Sequence, residues 1–252
     1  VTRLEGRVVV VTGGGQGLGR AYAQRIVEDG GTVVIADLNE EKGSAVAAEL
    51  GADGATARFH HLDVGDPASV SALADAVTAE FGAVHGLVNN AAIFSTIAMK
   101  PFWDIPIDEW DRLMLVNLRG PWLLTSALLP ALRAAGGASI VNVGSDAVWL
   151  GRPGYLHYIA SKGGVTAMTH AMAHELGGDL IRVNSISPGA TYTEVPRGTV
   201  SAEQKAAMQA AQALHRDAEP ADMVGVLAFL LSEDSRWVTG QTLSVNGGLL
   251  HR

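Results

Sequence analysis

The chain has no cysteine among its 252 residues. That excludes a disulfide framework, a thiolate nucleophile and any cysteine-ligated metal, so the fold must be held by its apolar core. Basic residues are also scarce, 18 against 26 acidic ones for a formal charge of -8. Such a surface repels phosphate backbones and offers no basic stripe, which argues against nucleic acid as a partner. Long apolar runs are missing as well. The longest apolar stretch, Leu113 to Leu132, is broken by Asn117, Arg119, Pro121 and Pro130, and the N-terminal run is only four valines before a glycine cluster. Neither a membrane span nor a secretory hydrophobic region is expected, and the reading is a cytoplasmic protein with no membrane partner. There is no Pro/Ser-rich linker, no composition shift and no repeat, so residues 1–252 read as a single domain.

What is present is an alternation. Short β-branched runs (RVVVVT, TVVIAD, ATARFHHL, VHGLVN, ASIVNV, IRVNSI, TLSVNG) are separated by alanine-rich stretches, namely 17–29, 40–50, 67–81, 107–135 and 155–176. Nearly continuous hydrophobic runs mark strands buried on both faces. The pattern predicts an α/β protein, a single-domain Rossmann-type doubly wound parallel sheet of about seven strands with helices on both faces. The segments 94–106 and 191–216 break the rhythm after the fourth and sixth strands. There they would wall a pocket at the carboxyl ends of the strands.

The first strand runs straight into Thr12-Gly-Gly-Gly-Gln-Gly-Leu-Gly19. Glycines between a strand and a helix allow a tight turn and close backbone approach to a pyrophosphate at the positive helix end; without that context they would be only a flexible turn. Asp37 ends the second strand at about the spacing at which an acid binds the adenosine ribose, although it could instead cap the next helix. A 2′-phosphate would be repelled there, and neither Gln16 nor Leu38 supplies a compensating cation, so the expected cofactor is NAD.

Tyr158 and Lys162 lie four residues apart in a helical stretch and so share one face. A tyrosine titrates near ~10, and a neighbouring ammonium favours its phenolate, which suits it to move a proton. Ser145 ends a strand at the carboxyl edge of the sheet, where its hydroxyl can meet a substrate oxygen. Asn117 precedes Pro121 by four residues; the proline has no N–H to return to the Asn117 carbonyl, which predicts a kinked helix with a carbonyl free to hold a water.

These motifs together resemble the short-chain dehydrogenase/reductase family: TGGGQGLG, Asp37, Asn89-Asn-Ala-Ala92, Asn117, Ser145, the Tyr158/Lys162 pair and Pro188-Gly189 stand in the family's order along the chain. The resemblance implies an NAD-dependent secondary alcohol dehydrogenase or ketone reductase. Tyr158 would be the acid/base, Ser145 would orient the substrate oxygen, Lys162 would hold the nicotinamide ribose, and Asn117 would anchor a relay water. It further implies that Gly13, Gln16, Gly17, Leu18, Gly19, Asp37 and Leu38 meet the cofactor, that Asp63 and Val64 flank adenine, and that Asn89 and Ala91 line the groove. Pro188, Gly189, Thr191 and Thr193 would meet the carboxamide side. Ala92 departs from the family's usual glycine. The stretch Trp149 to Tyr158 and the ending Thr239 to Leu243 with Gly247-Gly248 are most similar to bacterial (S)-1-phenylethanol dehydrogenases within the family.

By the same geometry Ile93, Phe94, Trp149, Leu150, Tyr155, Tyr192 and Met208 would surround the substrate with mostly apolar surface, which favours an aryl or bulky apolar alcohol. Asp146 is expected to point outward as most aspartates do; turned inward, it would bind an amine or a second hydroxyl. A nucleophile elbow at Ser145 is excluded because Val143 and Ala147 occupy the required glycine places. His170 and His174 have i, i+4 spacing but face away from Tyr158, so no metal is assigned. Trp103, Trp110 and Trp122 read as core or interface aromatics. The apolar stretch 113–132, together with the family's habit, predicts a homotetramer. Two rival readings are a non-catalytic NAD-binding sensor and a dehydrogenase of amino alcohols, diols, sugars or steroids.

Overall fold

The computed structural model describes residues 2–52, 56–196 and 201–251. Seven parallel strands form one sheet, β1 Val8–Thr12, β2 Thr32–Asp37, β3 Ala57–His61, β4 Gly86–Asn89, β5 Ser139–Val143, β6 Arg182–Pro188 and β7 Thr242–Val245, in the order β3-β2-β1-β4-β5-β6-β7. The helices are α1 Gly17–Glu28, α2 Glu40–Gly51, α3 Pro67–Phe81, α4 Ile107–Met114, α5 Gly120–Ala134, α6 Ala147–Leu150, α7 Leu156–Leu176, α8 Ala202–Ala211 and α9 Pro220–Leu231.

Alternation along each strand divides the core into two layers. Val10, Val34, Leu87, Ile140 and Val183 face α3, α5 and α7, which contribute Leu73, Val77, Leu124, Leu128 and Ala173. Val9, Val11, Val33, Ile35, Val88 and Val141 face α1, α2 and α9, which contribute Tyr22, Ile26, Val46, Leu227 and Leu231. Burial on both faces is what the continuous valine and isoleucine runs require.

Three differences from the sequence reading have local causes. The stretch 107–135 is not one helix: α4 and α5 are separated by a π-helical segment, Leu115–Arg119, in which the Gly120 amide donates to the Leu115 carbonyl. Pro121 cannot close the ordinary bond to Asn117 and adds a ring there, so the ladder widens by one residue. Two helices stand where the alternation gives no sign of them: α9, whose Leu/Val/Met-rich face forms the crossover from β6 to β7, and α8, inside the segment expected to be irregular. Of the tryptophans expected in the core or an interface, Trp103 and Trp122 are exposed, so neither belongs to the core. Among the described residues no helix is long and apolar enough to cross a membrane.

The chain leaves β1 outward to β2 and β3, then returns to place β4 on the other side of β1. Loops after β1 and β4 therefore diverge and open a crevice at the carboxyl edge of the sheet.

Candidate active site

At that crevice lies a cleft of about 690 Å³ that reaches from the loop after β1 to the loops after β5 and β6. Its first wall is the glycine loop. Gly13 and Gly17 have φ of 63° and 58°, and a Cβ on Gly19 would stand 1.9 Å from the Gly13 carbonyl oxygen. Only glycine fits this turn against α1. The Asn90 side chain donates to the carbonyls of Thr12 (2.9 Å) and Gly13 (3.2 Å), and Thr12 Oγ1 accepts from the amides of Asn90 and Ala91. The loop after β4 is thereby stitched to the glycine loop.

A dinucleotide fits this wall. The amide of Gly17, at the start of α1, donates to Glu194 Oε1 at 2.7 Å, so a chain carboxylate already occupies an anion place at this helix end. Asp37 lines the cleft one strand away, its Oδ2 accepting from the Gly15 amide (2.8 Å) and its Oδ1 from the Asn39 amide (2.9 Å). Asn39, rather than Asp37, caps α2 through the Lys42 amide.

The expectation that no cation stands near this end is corrected. Lys42, in the first turn of α2, points back toward the helix N-terminus and donates to Gln16 Oε1 at 2.6 Å.

The opposite wall carries the reactive groups. Ser145 follows β5 and its Oγ accepts from the Ala147 amide at 3.2 Å. Tyr158 and Lys162 stand one turn apart on α7, both buried and both lining the cleft with Ser145. The Lys162 ammonium donates to the Val143 carbonyl at 2.6 Å and lies 6.0 Å from the centre of the Tyr158 ring. Burial lowers its pKa from 10.5 to about 8. Phe94 stacks obliquely on Tyr158 with ring centres 4.7 Å apart. Asn117 is buried in the π-helical segment and holds the loop after β4: Oδ1 accepts from the Ile93 amide (2.7 Å), and Nδ2 donates to the Ile93 carbonyl (3.0 Å).

The residue before the tyrosine, His157, is wholly buried, with Nε2 3.0 Å from Glu109 Oε1. Lys100 donates to the other Glu109 oxygen at 2.5 Å. Foremost through that Lys100 bond, the Glu109 carboxyl is held below the usual range. The pair ties the segment after β4 and α4 to the start of α7.

A family model described as enoyl-(acyl carrier protein) reductase matches residues 13–250. The chain belongs to the short-chain dehydrogenase/reductase family. The cyclopentanol dehydrogenase of Comamonas sp. (strain NCIMB 9872) is 37% identical over 247 residues, 98% of each chain. A solved structure described as a short-chain alcohol dehydrogenase from Sinorhizobium meliloti 1021 superposes with a TM-score of 0.92 at 30% identity, covering 99% of this chain and 98% of that one. Another, described as an NAD(P)-dependent gluconate 5-dehydrogenase from Beutenbergia cavernae with NADP bound at low occupancy, gives 0.91 at 33% identity over 98% of each chain. The fold and the nicotinamide-binding architecture are those of the family.

Most residues expected at this site are brought together. Gly13, Gln16, Gly17, Leu18, Asp37, Leu38, Asp63, Val64, Ala91, Pro188, Gly189, Thr191 and Thr193 line the cleft, as do Ile93, Phe94, Leu150, Tyr155 and Met208. Five do not, and each has a physical reason. Asn117 is buried behind the lining, its side chain spent on the Ile93 backbone. Gly19 is packed beneath the turn. Asn89 is the last residue of β4 and turns into the sheet's buried face, donating to Asn142 Oδ1 (2.9 Å) and Thr125 Oγ1 (3.3 Å); its neighbour Asn90 takes the cleft place. Trp149 is exposed beside the cleft rim, and Tyr192 lies under the Lys205 ammonium, 4.2 Å from its ring centre.

Asp146 is corrected in a different way. It is fully buried, not outward, and its carboxylate accepts from Ser244 Oγ (2.9 Å) and Asn246 Nδ2 (2.5 Å). Within the segment expected to wall the pocket, 197–200 lie outside the described residues. The sequence reading missed Arg152, a single charge in an otherwise apolar turn, which also lines the cleft.

Proposed function

We propose that the protein is an NAD(H)-dependent oxidoreductase that interconverts a secondary alcohol and its ketone, with Tyr158 as the acid/base. The observation that carries this is the buried Lys162 ammonium one turn behind Tyr158, on the same cleft as Ser145. In the oxidative direction Tyr158 Oη takes the carbinol proton while the Ser145 hydroxyl donates to the same oxygen. Lys162 stabilises the phenolate form that takes up this proton and so becomes phenol, and Asn117 keeps Ile93 and Phe94 against the substrate. The nicotinamide, when bound, accepts or supplies the hydride. A non-catalytic NAD-binding protein would have no use for a desolvated lysine beside a tyrosine.

Asp37 supports NAD, because a 2′-phosphate would approach its carboxylate; Lys42 offsets part of that repulsion, and a related structure does carry NADP. The apolar wall formed by Ile93, Phe94, Leu150, Tyr155 and Met208 favours an aryl or bulky apolar alcohol. The cyclopentanol dehydrogenase relative agrees with a ring-bearing neutral body. Because the Asp146 carboxylate is already engaged by Ser244 and Asn246, an amino alcohol gains nothing from it.

The test is a set of initial rates, followed by nicotinamide absorbance, with both enantiomers of 1-phenylethanol, cyclopentanol and a polyol, each with NAD and NADP. Turnover of the first three with NAD is expected to exceed that of the polyol. Tyr158→Phe should lose roughly 10²- to 10⁴-fold in kcat while still binding NADH. Turnover confined to the polyol, or an active phenylalanine variant, overturns the reading.

We read the assembly as a homotetramer. Exposed Trp122 and the apolar groove of Met114, Leu118 and Met168 beside the π-helical segment support it. Light scattering at micromolar concentration should give four times the chain mass; the mass of a single chain contradicts it.

A further inference from the structure

Arg152 is a cation that the reaction described above does not use. It sits in the turn after α6, half-buried, on the same cleft as Ser145 and Tyr158. Several arginines elsewhere in the protein meet acids or carbonyls: Arg7 with Glu233, Arg20 with Glu49, Arg25 with Asp29, and Arg182 with the carbonyls of Leu230 and Ser232. Arg152 meets neither. Its guanidinium carbon lies 5.6 Å from the centre of the Tyr155 ring, and Nη1 approaches Met208 Sδ at 3.7 Å. Among the described residues no carboxylate comes within 4.0 Å of it.

The three acids that line the cleft are engaged elsewhere: Asp37 by the Gly15 and Asn39 amides, Asp63 by the Gly65 amide, and Asp146 by Ser244 and Asn246. A guanidinium remains charged at any accessible pH. Partly desolvated against an aromatic face and a thioether, its fork of N–H donors has no protein oxygen as a hydrogen-bond partner among the described residues.

Its position along the cleft gives the missing oxygen an address. Tyr158 leads to Phe94 at 4.7 Å between ring centres, Phe94 to Tyr155 at 6.4 Å, and Tyr155 to Arg152. An aromatic wall thus runs from the acid/base tyrosine to the arginine. The glycine loop follows β1, two strands away from the turn after β5 that carries Arg152, so this charge is not part of the diphosphate cradle.

We propose that Arg152 receives a substrate carboxylate, so that the substrate is a hydroxy acid in which an apolar spacer separates the secondary carbinol from the acid group. This deepens, and rests on, the alcohol dehydrogenase reading. One planar fork in an apolar wall matches one planar monoanion through paired N–H···O bonds; a phosphate dianion would leave charge uncompensated. The carboxylate is a handle and is unchanged when the carbinol becomes a ketone.

The experiment compares 1-phenylethanol with its para-carboxylate, at matched concentrations with NAD, in wild type, Arg152→Met and Arg152→Lys. In wild type kcat/KM should favour the acid by about 10- to 100-fold, chiefly through KM, and added salt should reduce the ratio. The ratio should collapse toward unity in Arg152→Met, whose side chain can still pack on Tyr155, and recover in part in Arg152→Lys. In parallel, acetophenone and its para-carboxylate are titrated calorimetrically into the enzyme–NADH complex.

Arg152-dependent binding of the acid without turnover of any alcohol upholds the arginine site and fells the dehydrogenase reading. Turnover of the neutral alcohol with no preference for the acid does the reverse. If Arg152→Met weakens both ligands equally, the residue only braces Met208 and Tyr155, and the proposal is overturned.

Discussion

Lys162 keeps its charge where the surroundings disfavour it. Burial lowers its pKa from 10.5 to about 8, so between those two values the unfolded chain holds a proton that the native protein has released. Stability therefore rises with pH across that window, and below it the folded state bears the full cost of the buried ammonium. The shift corresponds to something on the order of 3 kcal/mol. Losing the bond to the Val143 carbonyl takes back about 1 kcal/mol. Lys162→Met should therefore unfold at higher urea than wild type at pH 7, with the two converging toward pH 10, while its turnover collapses. A variant less stable than wild type at pH 7 would show that the hydrogen bond outweighs desolvation. The Tyr158/Lys162 pair was legible because helical spacing is local. Asp146 was not, since Ser244 and Asn246, which draw it inward, lie about a hundred residues further along the chain.

Among the elements, α2 shows how a helix start can supply a group that a residue-by-residue reading overlooks. Asn39 caps it and sets the phase of the first turn, and side chains there lean back over the preceding loop. Lys42 consequently reaches Gln16 even though 26 residues separate them. An exposed charge at such a rim is worth about 1 kcal/mol, or roughly a fivefold effect. Lys42→Ala should lower kcat/KM with NADP by about that factor and leave the NAD value within twofold. Equal losses with both cofactors would mean that Lys42 serves the loop and not discrimination. The π-helical segment was half legible: Pro121 foretold a break near Asn117. Its form, an added residue in the turn with the Asn117 side chain clasping Ile93, depends on contacts with the loop after β4 and with α7 that no local pattern encodes.

In the molecule as a whole, the strand count and the parallel sheet followed from apolar runs alternating with helical stretches, because a parallel sheet must be covered on both faces. The overlooked α9 is the exception that fits this logic: a parallel β6–β7 pair needs a crossover, and the segment between them was the place to look for it. Glu194 on the Gly17 amide joins the segment after β6 to the glycine loop, 177 residues apart in sequence. Its carboxylate is a resident competitor. If a dinucleotide takes the Gly17 amide it must evict this carboxylate, and the measured dissociation constant is then the intrinsic one divided by the fraction of molecules in which the cradle stands open. Glu194→Ala should therefore tighten NADH binding severalfold in a fluorescence titration, with most of the gain in the association rate. Unchanged affinity would mean that the two anions share the helix end. On the competitor's account, the family's nucleotide cradle in this chain is self-occupied at rest, and the affinity a cell experiences is set as much by the segment after β6 as by the glycines that hold the cofactor.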